Sequence, residues 1–166
     1  RADPNETARA FVVFGKACTT TISLADVIAG TGGFVINGDS DAGLAGGSVA
    51  GAGDVNGDGK DDLIVGAQNA NNANNNRPGQ AYVVFGKSDG TAVDLADVIA
   101  GTGGFMIQGE NGFDRAGCSV DGAGDVNGDG KDDLIVGAYR ADVNGYSTYG
   151  GKAYVVFGKS SRTAVL

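Results

Sequence analysis

Apolar positions in this chain come in short runs broken by glycine, asparagine and aspartate, and the runs recur. Ala10 to Phe14 is apolar at every position, which predicts a strand buried on both faces rather than the alternation of a half-exposed one. Phe11-Val-Val-Phe-Gly-Lys16 returns as Tyr82-Val-Val-Phe-Gly-Lys87 and again as Tyr154-Val-Val-Phe-Gly-Lys159. Leu24 to Phe34 returns unchanged as Leu95 to Phe105. Phe34-Val-Ile36 predicts a short strand after the turn Thr31-Gly-Gly33. Gly46 to Ala52 predicts a glycine-rich strand, suited to a rim where backbones come close. Asp62 to Ala67 predicts another strand. Ser23 to Ala29 fits either a short helical turn with Ser23 as its cap or an extended arm. The polar residues 1–9 read as a frayed lead-in.

The period decides the architecture. Each repeat offers four strands: the glycine-rich one, Asp-Leu-Ile-Val-Gly, Tyr-Val-Val-Phe-Gly-Lys, and Gly-Phe-(Val/Met)-Ile. Four strands in a period above about 40 residues point to a propeller blade. The expected fold class is all-β, built of four-stranded antiparallel β-propeller blades, about two per chain. In this division residues 1–43 hold the last two strands of a preceding blade. Residues 44–108 form a complete blade, and residues 109–166 form a second blade without its last strand. Two connectors differ between the repeats. Gln68 to Gly79 holds six Asn and one Pro and reads as an exposed connector. Its counterpart, Tyr139 to Gly151, is one residue longer and carries Tyr139, Arg140, Tyr146 and Tyr149. That makes it either the loop most free to bind a ligand or a surface loop that drifts for want of constraint.

Candidate chemistry lies in the stretch between the first two strands. Asp54-Val-Asn-Gly-Asp-Gly-Lys-Asp-Asp-Leu-Ile-Val-Gly-Ala67 returns unchanged at Asp125 to Ala138, 71 residues on. Side-chain oxygens stand on alternate positions at Asp54, Asn56 and Asp58, and Gly59 permits a sharp bend. The Lys60 carbonyl can turn inward, and Asp62 arrives from the far side. Asp125, Asn127, Asp129, Lys131 and Asp133 repeat the set. Hard oxygens of this number and charge suit Ca²⁺, giving two expected sites per chain. An EF-hand is excluded: its twelfth position needs a Glu and a following helix, whereas Val65 and Val136 stand there inside strand-like runs. A plain Asn/Asp/Gly turn is the competing reading. Four carboxylates within nine residues, which would repel unless bridged, argue against it.

Composition narrows the function. Gly is 31 of 166 residues, against a usual ~7%, without collagen's period, which fits short strands joined by tight turns. Net charge is −8, and the two loops supply −6 of it. With no patch of Lys or Arg, nucleic acid is not an expected partner. No apolar run reaches the ~18 residues needed to insert in a membrane, and no signal peptide is visible. A chain opening at Arg1 without Met is expected to be an excised or processed piece, with any export signal encoded upstream. There is no His, the commonest general base, and no nucleophile paired with a base, so an enzyme is not expected. A pocket holding acids outside the loops, such as Asp39, Asp41, Glu110 and Asp114, would reopen that question. Cys18 and Cys118 fall at non-equivalent positions; a disulfide and two free thiols both remain open, with free thiols favoured.

Gly46-Gly-Ser-Val49, Gly53-Asp-Val-Asn-Gly-Asp-Gly59, Asp62-Leu-Ile-Val-Gly-Ala67 and Tyr82-Val-Val-Phe-Gly86, each present twice, resemble the FG-GAP repeat of integrin α-subunit propellers and many secreted bacterial proteins. Cys118 is the one change among the second copies, and the box at Gly66-Ala-Gln68 and Gly137-Ala-Tyr139 lacks its proline. The resemblance implies a four-stranded blade with Ca²⁺ between its first two strands, an extracellular or cell-surface setting, and a role in adhesion or ligand binding. Such propellers usually have seven blades, so two imply either part of a longer array or self-association of copies head to tail. A protein ligand is expected; a glycan, stacking on the tyrosines of 139–149, is the alternative, and a scaffold part of a larger secreted enzyme is a further one.

Overall fold

The structure is a computed structural model, and it describes residues 8–17, 20–39, 45–72, 74–142 and 150–160. Among the described residues, ten strands and two five-residue helices lie in the order β1 (Arg9–Val13), α1 (Leu24–Ile28), β2 (Gly33–Asn37), β3 (Ser48–Gly53), β4 (Asp62–Ala67), β5 (Gln80–Val84), β6 (Val93–Asp94), α2 (Leu95–Ile99), β7 (Gly104–Gln108), β8 (Ala116–Gly124), β9 (Asp133–Ala138) and β10 (Lys152–Val156). They make three sheets, ordered β1-β2-β6, β3-β4-β5-β7 and β10-β9-β8. The middle sheet is a four-stranded antiparallel meander, with Leu63 opposite Val84 and Tyr82 opposite Met106. The fold is that of stacked propeller blades.

The helices start where local chemistry allows. In α1 the Ser23 side chain accepts a hydrogen bond from the Ala25 N–H, satisfying one of the donors that a first turn leaves orphaned. In α2 the cap is Asp94, whose side chain instead accepts from Asn37 Nδ2 at 2.8 Å, across to the preceding sheet. The two-residue strand β6 also belongs to that preceding sheet, pairing in parallel with Ile36 and Asn37. One segment, Val93 to Gln108, therefore stitches the first sheet to the second.

Alternation along the strands sends side chains into two cores. Phe34, Ile36, Val65, Tyr82, Val84, Leu95 and Val98 fill the space between the first and middle sheets. Ile64, Val83, Phe105, Ile107, Leu134, Val136 and Val156 fill the space between the middle and last. Lys87 and Lys159 close these layers at one end, lying over the Phe34 and Phe105 rings at 4.9 and 4.5 Å. The glycine-rich strands meet where the sheets come closest. A Cβ at Gly66 would lie 2.2 Å from the Gly117 carbonyl oxygen, so no larger residue fits there.

Two expectations change. Ala10 to Phe14 is not buried on both faces: Ala10, Val12 and Phe14 pack inward, whereas Phe11 and Val13 are exposed. An uninterrupted apolar run shows that a strand can be covered twice, not that a second neighbour is present. The Asn-rich connector is exposed only in its middle. Pro78 and Gly79 are buried, Gly79 bridges to Ala116, and the Asn76 carbonyl accepts from Phe113 N–H. Cys118 is free, its thiol donating to the Gly137 carbonyl at 3.3 Å. Cys18, Asp41, Tyr146 and Tyr149 lie outside the described residues.

Candidate metal centre

Both acidic loops are folded by their first aspartate. Asp54 Oδ1 accepts the N–H groups of Gly57 and Asp58 at 2.8 and 2.9 Å, and Oδ2 accepts that of Gly59 at 2.8 Å. Three donors on one side chain need a tight reversal of the backbone, and Gly59 supplies it at φ +86°. The Gly59 bond, with those from Asp58 and Gly57, holds the Asp54 carboxyl below its ordinary pKa. Asp125 does the same with Gly128, Asp129 and Gly130.

The last aspartate locks the loop to the sheet. Asp62 is fully buried; its Oδ2 accepts from Val55 N–H at 3.1 Å and its Oδ1 from Gly86 N–H at 2.7 Å. Asp133 repeats this with Val126 at 2.9 Å and Gly158 at 2.8 Å. Each carboxylate thus joins the loop to the end of the blade's third strand. The partner glycines come from the recurrent Phe-Gly-Lys that follows that strand. The recurrence was visible in the sequence, but its bond to the loop was not.

Electrostatics set the two ends of the loop apart. Burial lifts the Asp62 carboxyl to about 6 despite its two N–H donors, and the negative charges of Asp58 and Asp54 push it the same way. Asp58 lies at the rim, accepting from Lys60 N–H at 3.0 Å with Lys60 Nζ 3.5 Å away. Asn56 is half-buried. In the second loop Asn127 Oδ1 accepts from Asp129 N–H at 2.8 Å, and its Nδ2 lies 3.5 Å from Asp133 Oδ1.

The possible donors in the loop are oxygens, the kind a hard cation takes. A carboxylate offers about four lone-pair directions. The N–H bonds named here use three on Asp54, one on Asp58 and two on Asp62, so each retains some. Among the described residues no three acidic, histidine or cysteine side chains stand together closely enough to hold an ion on their own. An ion here would therefore also need the Asn56 side chain and the Lys60 carbonyl. All of these donors are oxygens.

One functional contact was missed from sequence. Asp132 belongs to the second loop but serves the first: its Oδ2 accepts from Asp54 N–H at 2.8 Å, and its own N–H donates to the Asp54 carbonyl at 3.1 Å. Lys159 N–H also donates to the Val55 carbonyl at 2.9 Å. The two loops are thus clipped together across the boundary between sheets. Adjacent aspartates at 132 and 133 gave no sign of which way each one turns.

Of the acids outside the loops, Asp41 lies beyond the described residues, and the charges of Glu110 and Asp114 both act on Lys152 and Tyr154. Asp114 is buried and accepts from Asn111 N–H at 3.0 Å. Glu110 lines a cleft of about 550 Å³, where Lys152 Nζ and the Tyr154 hydroxyl donate to it at 2.7 and 2.9 Å. Tyr139 is 52% exposed, with the Arg140 guanidinium 5.4 Å from its ring centre.

Sheets stacked in this way, two of them carrying an oxygen-rich loop between their first two strands, define a β-propeller repeat protein. More narrowly, the chain carries two FG-GAP repeats: the profile of that repeat matches residues 45–84 and 119–156. The chain is 38% identical over 104 residues to integrin alpha pat-2 of Caenorhabditis elegans, and 39% identical over 105 residues to integrin alpha pat-2 of Caenorhabditis briggsae. Each match spans 63% of this chain but only 8% of the relative. No helix among the described residues is long and apolar enough to cross a membrane.

Proposed function

We propose that the chain is a calcium-binding β-propeller repeat module for extracellular adhesion or protein-ligand binding, in which the metal is structural. Asp54, Asn56, Asp58, the Lys60 carbonyl and Asp62 would hold one ion. Asp125, Asn127, Asp129, the Lys131 carbonyl and Asp133 would hold the second. The observation that carries this reading is Asp62, a buried carboxylate facing the charges of Asp54 and Asp58 while its own bonds reach the loop and the third strand. A divalent cation would neutralise those charges and, through Asp62, tie the first three strands of a blade together. The ion's work is charge neutralisation and cross-linking; no reaction step is assigned to it. The setting at a cell surface and the binding of a protein partner rest on likeness to the integrin α-chains, of which this chain matches a small part.

Calorimetric titration with Ca²⁺ tests the ligand assignment. The account expects Asp58→Ala and Asp129→Ala each to lose one site and keep the other. Two intact sites in either variant would sink it.

A further inference from the structure

The contact between the two acidic loops joins residues proposed as ligands of different ions. Asp132 stands between Lys131, whose carbonyl is a candidate donor of the second loop, and Asp133, the buried carboxylate that closes it. Yet its own bonds go to the first donor residue of the first loop. Its Oδ2 accepts from Asp54 N–H at 2.8 Å, and its N–H donates to the Asp54 carbonyl at 3.1 Å. The chain neighbours of Asp132 thus serve one loop while its side chain and amide hold the other.

A second route runs alongside. Gly158 N–H donates to Asp133 Oδ1 at 2.8 Å, and the next residue, Lys159, donates its N–H to the Val55 carbonyl at 2.9 Å. Val55 N–H in turn donates to Asp62 Oδ2 at 3.1 Å. Asp62 and Asp133, the carboxylates that close the two loops, are therefore joined through short pieces of backbone. Glycines make the approach possible. A Cβ on Gly53 would overlap the Asp132 carboxylate, and one on Gly158 would lie 2.6 Å from the Asp132 carbonyl oxygen and 2.9 Å from that of Val55. Packing this close leaves little room for one loop to move alone.

We propose that Asp132 is a positioning residue that couples the two cation sites, so that filling either loop raises the affinity of the other; the proposal rests on reading both loops as cation sites. Closing the first loop fixes the backbone of Asp54, and Asp54 in turn fixes Asp132 between two donors of the second loop. The reverse holds as well, because coupling between binding free energies is reciprocal. A site whose donors are already held loses less conformational freedom on binding, which makes the coupling positive.

Charge works in the opposite direction, but weakly. Four Asp and one Lys give each loop a charge of −3, so a loop holding a divalent ion stays negative and only attracts the second ion less. Charges on exposed loops are also screened beyond about 8 Å at physiological salt. The hydrogen bonds between the loops are direct and unscreened, so they set the sign.

Titration calorimetry of the whole chain with Ca²⁺, at physiological salt, tests the coupling. Asp129→Ala reports the first site alone and Asp58→Ala the second. The product of the two wild-type association constants, divided by the product of these two single-site constants, is the coupling factor. It should be about tenfold, within the roughly 5–150-fold usual for coupled sites. With Asp132→Ala added to all three chains the factor should fall several-fold. Asp132→Asn should retain more of it, and Asp61→Ala, exposed in the identical first loop, should leave it unchanged. A merely structural Asp132 would lower the separate constants and leave their ratio as it was. Hydrogen exchange adds a direct reading: in Asp58→Ala, Ca²⁺ in the second loop should slow exchange of the Asp54 amide, and Asp132→Ala should remove most of that slowing. A factor of one or less, a factor unmoved by Asp132→Ala, or an Asp54 amide indifferent to Ca²⁺ in the second loop would overturn the coupling and leave both sites standing. A wild type that binds no Ca²⁺ would overturn the cation sites themselves, and the coupling with them.

Discussion

Replacing Asp132 with alanine removes the carboxylate that clips the second loop to the first. The Asp54 N–H then keeps its part-buried position and loses its only described acceptor, Asp132 Oδ2 at 2.8 Å. A hydrogen bond to a charged group contributes about 1.5–3 kcal/mol. For a domain of this size each kcal/mol moves the melting temperature by roughly 2–4 °C. Asp132→Ala should therefore lower it by roughly 3–12 °C. Asp132→Asn keeps an acceptor without the charge and should cost about half as much. The control lies in the chain itself. Asp61 holds the same place in an identical loop, but its side chain is exposed. Exposed substitutions usually stay within about 0.5 kcal/mol, so Asp61→Ala should shift melting by no more than roughly 2 °C. Thermal unfolding followed by circular dichroism in saturating Ca²⁺ reads both variants. Equal losses from Asp61→Ala and Asp132→Ala would refute the clip, because they would assign the effect to the loop sequence and not to the contact.

The same repeat logic applies to the core. Ile64 is fully buried between sheets, and its mate Ile135 is 38% exposed on the outer face of the last sheet. Ile64→Ala should cost ~2–5 kcal/mol, and Ile135→Ala ~1 kcal/mol or less; equal denaturant midpoints for the two variants would contradict the stacking order. Glu110 is held below its ordinary pKa by its hydrogen bonds from Lys152 and Tyr154. A carboxyl whose folded pKa is depressed contributes stability that is present above its unfolded pKa and lost as pH falls through the folded one. The stability gap between the wild type and Glu110→Gln should therefore narrow as pH drops through the acid range. Urea midpoints across that range would expose a constant gap, which would remove the pairing from the account.

Much of the fold was legible because the chain states its pattern twice. The strand runs, their order and the Ser23 cap follow from periodicity and from the preference of a first helical turn for a hydroxyl acceptor. The bend of the loop was legible for the same reason: Gly59 takes the positive φ its place suggests, and Asp54 gathers the backbone of the loop around itself. What stayed hidden depends on neighbours far apart in sequence. Asp132 and Asp133 are chemically identical, yet one faces the adjacent loop and the other its own sheet. Only the packing of sheet on sheet separates them. The two-residue ladder at Val93–Asp94 is too short to leave a periodic signal. The outward face of Ala10–Phe14 depends on which surface stands opposite, a property of the assembly and not of the run itself.

The central claim is that the two loops are structural cation sites, and melting with and without Ca²⁺ tests it most directly. An ion bound only by the folded chain stabilises it by about 2.7 kcal/mol per site at a hundredfold excess over its dissociation constant. Two such sites should raise the melting temperature by roughly 10–20 °C over the value in EDTA. A melting temperature unchanged between excess Ca²⁺ and EDTA would contradict the account and leave the loops as turns folded by Asp54 and Asp125 alone.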